Sequence, residues 1–296
     1  MGLLVENVSK TFIDKKAVDN ISFEIEKPGL FALLGTNGAG KTTTIRMMLG
    51  ILKKDTGKIT WNGKEVDRKT VNFGYLPEER GIYPKTRIVD QLEYFAKLKG
   101  MNKDAAQKSI NYWLDRLKMT EYKFDLAEKL SKGNQQKIQF IIAVMHDPEL
   151  IVLDEPFSGL DPVNAEMLKD VISELVQKGK YIVISSHQMS SVEELCQDIV
   201  IINRGKTVLK GNLNEIKETY KLNKIEIQTK ENIHNLLEEY NLKILSQENK
   251  KYIIEINNEE EANELLKRMV ESNIKFEKFE LLKPTLHEIF IEKVGE

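Results

Sequence analysis

The sequence predicts an α/β fold in two parts: a larger part with a mixed sheet and a helical insert, and a small α+β module. Apolar runs that end in polar residues, such as 30–34 and 150–153, are typical of strands buried on both faces of a sheet. Two stretches, 88–99 and 105–117, place apolar residues at helical spacing and predict the insert. From residue 222 the pattern is strand, helix, strand, strand, helix, strand, the order of a ferredoxin-like module.

The strongest local signal is the glycine-rich stretch Gly35–Thr43, which follows an apolar strand and opens into a helical segment. It has the form G-x-x-x-x-G-K-[ST], in which backbone N–H groups and a helix N-terminus surround one anion. Lys41 can reach the β- and γ-phosphates of a nucleotide, and the Thr42 hydroxyl can bind Mg²⁺. The predicted nucleotide-binding residues of this loop are Thr36, Asn37, Gly38, Ala39, Gly40, Lys41, Thr42 and Thr43.

Two carboxylates, Asp154 and Glu155, follow the apolar run at 150–153. Carboxylates at the end of a buried strand need a cation or a proton to offset their desolvation. Beside a phosphate-binding loop, Asp154 is the natural partner of Mg²⁺, and Glu155 is placed to polarise an attacking water. His187 ends another apolar strand, at 181–186, and is predicted to contact the γ-phosphate or that water.

Three further features flank these motifs. Phe12 follows the first strand and is either a core aromatic or a platform on which a nucleobase stacks. Glu78 lies in a polar loop after the strand at 71–76, at the sheet edge where ligands collect. The stretch 130–137 combines Ser131 with Gly133 before a helix predicted at about 138–145, which by itself indicates only a helix cap.

Ahead of the glycine-rich loop, short strands are predicted at 3–8 and 21–25, with a turn at 14–16 between them. The 296 residues and 41% hydrophobic content indicate a globular protein of two domains, and the net charge of −2 argues against a general nucleic-acid binder. Cys196 is the single cysteine, so no intramolecular disulfide forms, and we expect a reducing compartment. Neither a signal peptide nor an apolar run near ~18 residues is predicted, so a membrane partner would have to supply any span.

Together these motifs resemble the nucleotide-binding subunit of an ATP-binding cassette transporter. The resemblance covers residues 1–220 and follows the family's order of motifs: the glycine-rich loop, the signature-like Leu130–Asn134, the acidic strand end, the turn Ser158–Asp161, and His187. It implies a P-loop NTPase cassette with a mixed sheet and a helical insert at about 86–146, followed by a small α+β accessory domain at 222–296. It also implies that two copies, arranged head to tail, enclose two ATP molecules.

The resemblance assigns roles to the remaining residues. Ser131 and Gly133, together with Asn134, would contact the γ-phosphate held by the second copy, and Asp161 would couple the two sites. Phe12 would stack on adenine, and the implied Mg²⁺ ligands are Thr42, Glu78 and Asp154, with Glu155, His187 and Lys41 as the catalytic set.

The sequence departs from the family pattern at two places. Glu78 replaces the usual Gln, which adds a negative charge beside the γ-phosphate, and Lys132 and Asn134 replace a Gly and a Gln of the signature. Lys132 could offset the added charge. The stretch 78–85 and the C-terminal module are similar to bacterial exporters of the sodium-efflux and drug- or peptide-resistance type.

These features favour an ATPase that powers a membrane exporter, cytoplasmic and peripheral on the inner face of the cell membrane, with a separate multi-spanning permease as partner. An alternative is a soluble cassette ATPase acting on ribosomes or DNA. That class usually carries two cassettes, a long coiled coil or a basic patch, which the sequence lacks. A third reading, a regulatory module that does not hydrolyse ATP, is disfavoured by the presence of both Glu155 and His187.

Overall fold

The structure is a computed structural model that describes residues 2–67, 71–79, 81–220 and 223–295. It divides into two compact units, Met1–Asn212 with Lys293–Glu296, and Leu213–Glu292. Residue Leu222, where the second domain is predicted to begin, lies outside the described residues, as does Arg80 of the polar loop. No helix among the described residues is both long and apolar enough to cross a membrane.

The first unit begins with an antiparallel sheet of strand order β2-β1-β4-β5. Its strands are β1 (Leu3–Phe12), β2 (Lys15–Ile25), β4 (Thr56–Trp61) and β5 (Lys64–Glu65). The predicted short strands and the turn at 14–16 are therefore wrong in extent. Phe12 pairs with Lys15, so the hairpin turns at residues 13–14, because cross-strand pairing overrides the polar composition there.

The second sheet of this unit has the order β10-β9-β3-β8-β7-β6. All neighbouring strands in it are parallel except β10, which runs antiparallel to β9. The strands are β3 (Gly29–Leu34), β6 (Phe73–Leu76), β7 (Leu150–Asp154), β8 (Tyr181–Ser186), β9 (Asp198–Asn203) and β10 (Lys206–Asn212). Because parallel strands end at one edge, the residues that follow β3, β6, β7 and β8 share that edge.

The α-helices of this unit, within the described residues, are α1 (Lys41–Met48), α2 (Ile88–Leu98), α3 (Lys103–Arg116), α4 (Lys132–Val144), α5 (Pro162–Gln177) and α6 (Met189–Glu193). Helices α2, α3 and α4 lie in the predicted insert. The predicted start of α4 at residue 138 is wrong by six residues. Ser131 caps this helix by accepting a hydrogen bond from the Asn134 N–H, which stabilises a polar first turn that apolar periodicity does not reveal.

The core of the first unit joins its two sheets through α1. Ile45 and Met48 of α1 are fully buried in one cluster with Val5 of β1 and Val152 of β7. The glycine-rich loop precedes α1 directly, so the packing of this helix fixes the loop against both sheets. At about 25 cal/mol per Å² of buried apolar surface, these side chains are a major stabilising contribution.

The second unit contains an antiparallel sheet of order β12-β13-β11-β14. Its strands are β11 (Lys224–Thr229), β12 (Lys243–Glu248), β13 (Lys251–Glu255) and β14 (Phe276–Leu282). Its helices are α7 (Leu213–Thr219), α8 (His234–Glu239), α9 (Glu259–Glu271) and α10 (Leu286–Gly295). The residues of α10 from Lys293 onward are assigned to the first unit. The chain order β11-α8-β12-β13-α9-β14 and this strand order confirm the predicted ferredoxin-like module.

A buried carboxylate stabilises the module. Glu226 in β11 is 5% exposed and forms ion pairs with Lys251 at 2.8 Å and Lys278 at 3.0 Å. The hydrogen bond from Lys251 lowers the pKa of Glu226 to about 2, against the opposing effect of burial. A carboxylate with a lowered pKa adds stability above its unfolded pKa, and this contribution disappears as the pH falls from about 4.5 to about 2.

We therefore expect Glu226→Gln to lower the free energy of unfolding of the module by about 1–2 kcal/mol at pH 7, since both lysines are partly solvated and screened. Urea unfolding of the wild type and the variant, measured at pH 7, 4 and 2, checks this. The difference should shrink with acidification, and a difference that is constant with pH would contradict the assignment.

Candidate functional site

The glycine-rich loop connects β3 to α1. Gly40 caps α1 with a φ of 109°, a backbone conformation that side chains rarely adopt. A Cβ on this residue would also lie 2.6 Å from the Ala17 carbonyl oxygen of β2. Glycine at this position therefore lets the loop turn tightly beside the first sheet, with the N-terminus of an eight-residue helix directed at its centre.

Lys41, the first residue of α1, is 6% exposed. Its Nζ donates hydrogen bonds to the carbonyl oxygens of Gly35, at 2.8 Å, and Thr36, at 3.3 Å. It also lies 3.5 Å from Oε1 of Glu155. The buried ammonium group of Lys41 therefore contacts both the phosphate-binding loop and the acidic end of β7.

Glu155 follows β7 in the left-handed region, with a φ of 52°. Its backbone N–H donates to the carbonyl oxygen and to Oγ of Ser185, at 3.1 and 3.2 Å. Its Oε1 accepts a hydrogen bond from the backbone N–H of His187, at 2.9 Å, and lies 2.8 Å from Nδ1 of the same residue. The side chain of Glu155 is therefore fixed by the end of β8.

Asp154 is the most deeply buried acid of the site. Its Oδ1 accepts a hydrogen bond from Ser185, whereas its Oδ2 is buried without a hydrogen-bond partner. Burial raises the pKa of Asp154, and the Ser185 and Thr42 hydroxyls beside it act in the opposite direction. A buried oxygen without a partner, next to the Thr42 hydroxyl, fits a divalent cation in chemistry and in position.

The signature-like stretch forms the N-terminus of α4. A Cβ on Gly133 would lie 3.3 Å from Cδ2 of Leu160, so this helix end packs against the turn Ser158–Asp161. Asp161 caps α5 by accepting a hydrogen bond from the Asn164 N–H at 3.0 Å, and that bond lowers the pKa of the carboxyl. The two motifs therefore form one surface, on which Ser131 and Asp161 are exposed.

The structure brings Lys41, Thr42, Asp154, Glu155 and His187 together within one chain. It places Phe12, 45% exposed, at the tip of the first hairpin, with Lys10 Nζ 5.6 Å from the ring centroid. Glu78 is exposed after β6. No hydrogen bond or ion pair joins the Glu78 or Phe12 side chain to this group in the described part of the chain, so their roles stay predictions.

Sequence reasoning missed the two serines at the end of β8. Ser185 binds Asp154 and the backbone of Glu155, and Ser186 Oγ lies 3.4 Å from Oε2 of Glu155. The available signal was two hydroxyl residues that end an apolar strand directly before His187. They align the carboxylates of β7, because β7 and β8 are neighbouring parallel strands.

Residues 18–158 match the sequence model of the ABC transporter family, and residues 211–294 match the C-terminal domain of the DrrA1-3-like ATP-binding proteins. The chain is 47% identical to the ABC transporter ATP-binding protein YhaQ of Bacillus subtilis (strain 168), over 99% of this chain and 98% of that protein. It is 34% identical to the linearmycin resistance ATP-binding protein LnrL of the same organism, over 72% of this chain and 70% of that protein.

Among solved structures, an ATP-binding subunit of an ABC transporter aligns with a TM-score of 0.69 at 27% identity, over 74% of this chain and 93% of that one. Three observations point to the same family: the fold, the order of the motifs, and the near full-length similarity to YhaQ. The predicted cassette fold, nucleotide binding and ATPase class are confirmed. The chain belongs to the ATP-binding subunits of ABC transporters, a family that hydrolyses ATP.

Proposed function

We propose that this chain powers a membrane exporter, and that two copies close head to tail around two ATP molecules. The observation that carries the proposal is the arrangement of Glu155, which is hydrogen-bonded to His187 and lies beside Lys41 at the end of the phosphate-binding loop. A fixed carboxylate at that point is what activation of a water next to a γ-phosphate requires.

In this proposal Glu155 accepts the proton of the attacking water. Nδ1 of His187 lies 2.8 Å from Oε1 of Glu155, which leaves Nε2 as the ring nitrogen available to contact the γ-phosphate. Lys41 balances charge on the β- and γ-phosphates, as lysines of such loops do. Asp154 and Thr42 would hold Mg²⁺, which neutralises phosphate charge when bound. No three His, Cys, Asp or Glu side chains in the described ranges could hold a metal by themselves, so phosphate oxygens and water would complete its ligands.

The exposed surface of Ser131 and Asp161 supports the dimer. A helix N-terminus capped by a serine offers backbone N–H groups to an anion. Ser131, Gly133 and Asn134 are therefore suited to close over the γ-phosphate bound by a second copy, with Asp161 adjacent. ATP binding would join the copies and hydrolysis would separate them, as closing and opening motions do in many enzymes.

A permease partner is supported by the family and by an aromatic surface at the start of the insert. Tyr83 and Tyr94 are 51% and 50% exposed, and Tyr83 stacks on Phe95 with ring centroids 6.2 Å apart. Aromatic clusters of this kind are enriched at protein interfaces. Export is supported by the similarity to LnrL, whose name refers to linearmycin resistance. In this role the chain is cytoplasmic and peripheral on the inner face of the membrane.

The experiment that tests this function reconstitutes the full chain with its multi-spanning permease in lipid vesicles. We expect the permease to co-purify and ATP turnover to depend on it. The ribosome or DNA alternative has no support from the relatives. Co-sedimentation with ribosomes, without binding to any permease, would contradict the proposal and favour that alternative.

Glu78 is expected to affect the metal dependence of hydrolysis. It places a carboxylate where relatives of the cassette class usually have an amide, and a carboxylate binds Mg²⁺ more strongly while repelling the γ-phosphate. We expect Glu78→Gln to change the Mg²⁺ concentration for half-maximal turnover by about threefold or more. A Mg²⁺ titration that superimposes on that of the wild type would rule out a metal role for Glu78.

A further inference from the structure

The first residue of β6 joins three elements through one backbone oxygen. The carbonyl oxygen of Phe73 accepts a hydrogen bond from Lys99 Nζ at 2.9 Å, and Nε2 of His146 lies 3.1 Å from it. Lys99 follows the last residue of α2, and His146 follows α4 by two residues. Lys99 Nζ also lies 4.9 Å from the centroid of the Phe73 ring, which adds a cation–π contact.

The next residue, Gly74, brings β6 and α4 into backbone contact. A Cβ on Gly74 would lie 1.9 Å from the carbonyl oxygen of Ala143 and 3.0 Å from Cγ of Pro148. Real Cβ atoms essentially never come within 3.0 Å of such an oxygen, so any side chain would separate the strand from the helix by about 1 Å. Only glycine, which has no Cβ, lets the backbone of β6 approach that of α4 this closely.

The side chains of Lys99 and His146, which both contact the Phe73 carbonyl oxygen, are partly desolvated. Burial lowers the pKa of Lys99, and burial together with the charge of Lys99 lowers the pKa of His146 to about 4. His146 is therefore neutral at pH 7, with a proton on Nε2 that it donates to Phe73, and its Nδ1 is buried without a partner. Asp147 and Lys180 are the other charged groups that face it.

The contact between Gly74 and Ala143 joins two elements that each lead to a residue of the proposed site. Ala143 is near the end of α4, and Ser131 caps its beginning, roughly 20 Å away along a rigid helix. Glu78 follows Gly74 by four residues. One backbone contact therefore sets the position of the helix that presents Ser131 relative to the strand that ends near the cation-binding edge.

We propose that Gly74 and Lys99 are positioning residues for ATP hydrolysis, which hold α4 and its Ser131–Asn134 N-terminus in register with β6. The inference rests on the proposed function, in which that N-terminus completes the site of a second copy. A misplacement of about 1 Å can lower a rate by about 100-fold, so we expect Gly74→Ala to reduce ATP turnover at least tenfold. Lys99→Met, which keeps an unbranched side chain but removes the hydrogen bond and the cation–π contact to Phe73, should reduce it about fivefold.

The test measures three properties of the full chain: turnover, binding of a fluorescent ATP analogue to the single subunit, and the emission of Trp113. Trp113 of α3 packs edge-to-face on Phe140 of α4, with centroids 6.2 Å apart, and so reports displacement of α4. Trp61, the other tryptophan of the sequence, is replaced by Phe in all samples. Gly81→Ala is the matched control, because a Cβ there would meet nothing closer than 3.9 Å.

We expect both variants to keep analogue binding, to turn over ATP more slowly by these factors and to shift the Trp113 emission, and we expect Gly81→Ala to match its parent. Turnover of Gly74→Ala and Lys99→Met within twofold of the parent would overturn the inference. If Gly74→Ala loses analogue binding through misfolding, Lys99→Met decides: reduced turnover with retained binding supports the inference, and unchanged turnover overturns it. Failure of the proposed function is separate, since it would show as turnover that survives Glu155→Gln.

Discussion

Replacing Glu155 with Gln should reduce ATP turnover by at least about 100-fold, because general-base assistance contributes about 10²–10⁴ to a rate. The amide keeps the size of the side chain and an oxygen that can accept the hydrogen bond from the backbone N–H of His187, which is 2.9 Å long in the wild type. It cannot accept a proton from water. ATP binding is therefore expected to remain, and single-turnover and steady-state assays beside a binding titration separate the two effects.

The matched control is Glu65→Gln, an exposed carboxylate on β5 that pairs with Lys54. It removes the same charge from the same unit and should leave turnover unchanged. Turnover of Glu155→Gln near the wild-type rate would show that another group activates the water, and it would contradict the assignment of Glu155 as the general base.

Lys41→Ala should weaken nucleotide binding about tenfold or more and lower turnover by at least about 100-fold. Two losses combine. The phosphates lose a charged donor, and the carboxylate of Glu155, 6% exposed, loses the cation that lies 3.5 Å from it. Isothermal titration with ATP and a phosphate-release assay measure the two effects on one preparation.

Lys64→Ala, on the exposed strand β5, is the control for loss of a lysine. Circular dichroism and a melting curve confirm that each variant is folded. If Lys41→Ala binds ATP as the wild type does, the loop does not hold the phosphates through this lysine, and the assignment of the whole loop is wrong.

The motifs allowed the fold of the first unit and the group around Glu155 to be predicted from sequence. Apolar runs such as 150–153 identify strands, and the carboxyl ends of parallel strands meet at one edge, so Lys41, Glu155 and His187 had to lie close together. The ferredoxin-like order of the second unit followed from the alternation of its strand and helix patterns.

What could not be predicted depends on contacts between distant residues. The hairpin at residues 13–14 extends because Phe12 pairs with Lys15, and α4 begins at Lys132 because Ser131 caps a polar turn. The role of Gly74 requires knowing that Ala143, 69 positions away in the sequence, approaches its backbone. Periodicity reports burial, and it carries no information about which backbone oxygen faces which residue.

The most direct test of the central claim is a crystal structure of the Glu155→Gln full chain grown with ATP and Mg²⁺. We expect two copies head to tail, with each γ-phosphate between Lys41 of one copy and Ser131 of the other, and both residues within hydrogen-bond distance of it. A structure in which ATP occupies the loop while Ser131 is distant from every phosphate, in all assemblies of the crystal, would contradict it.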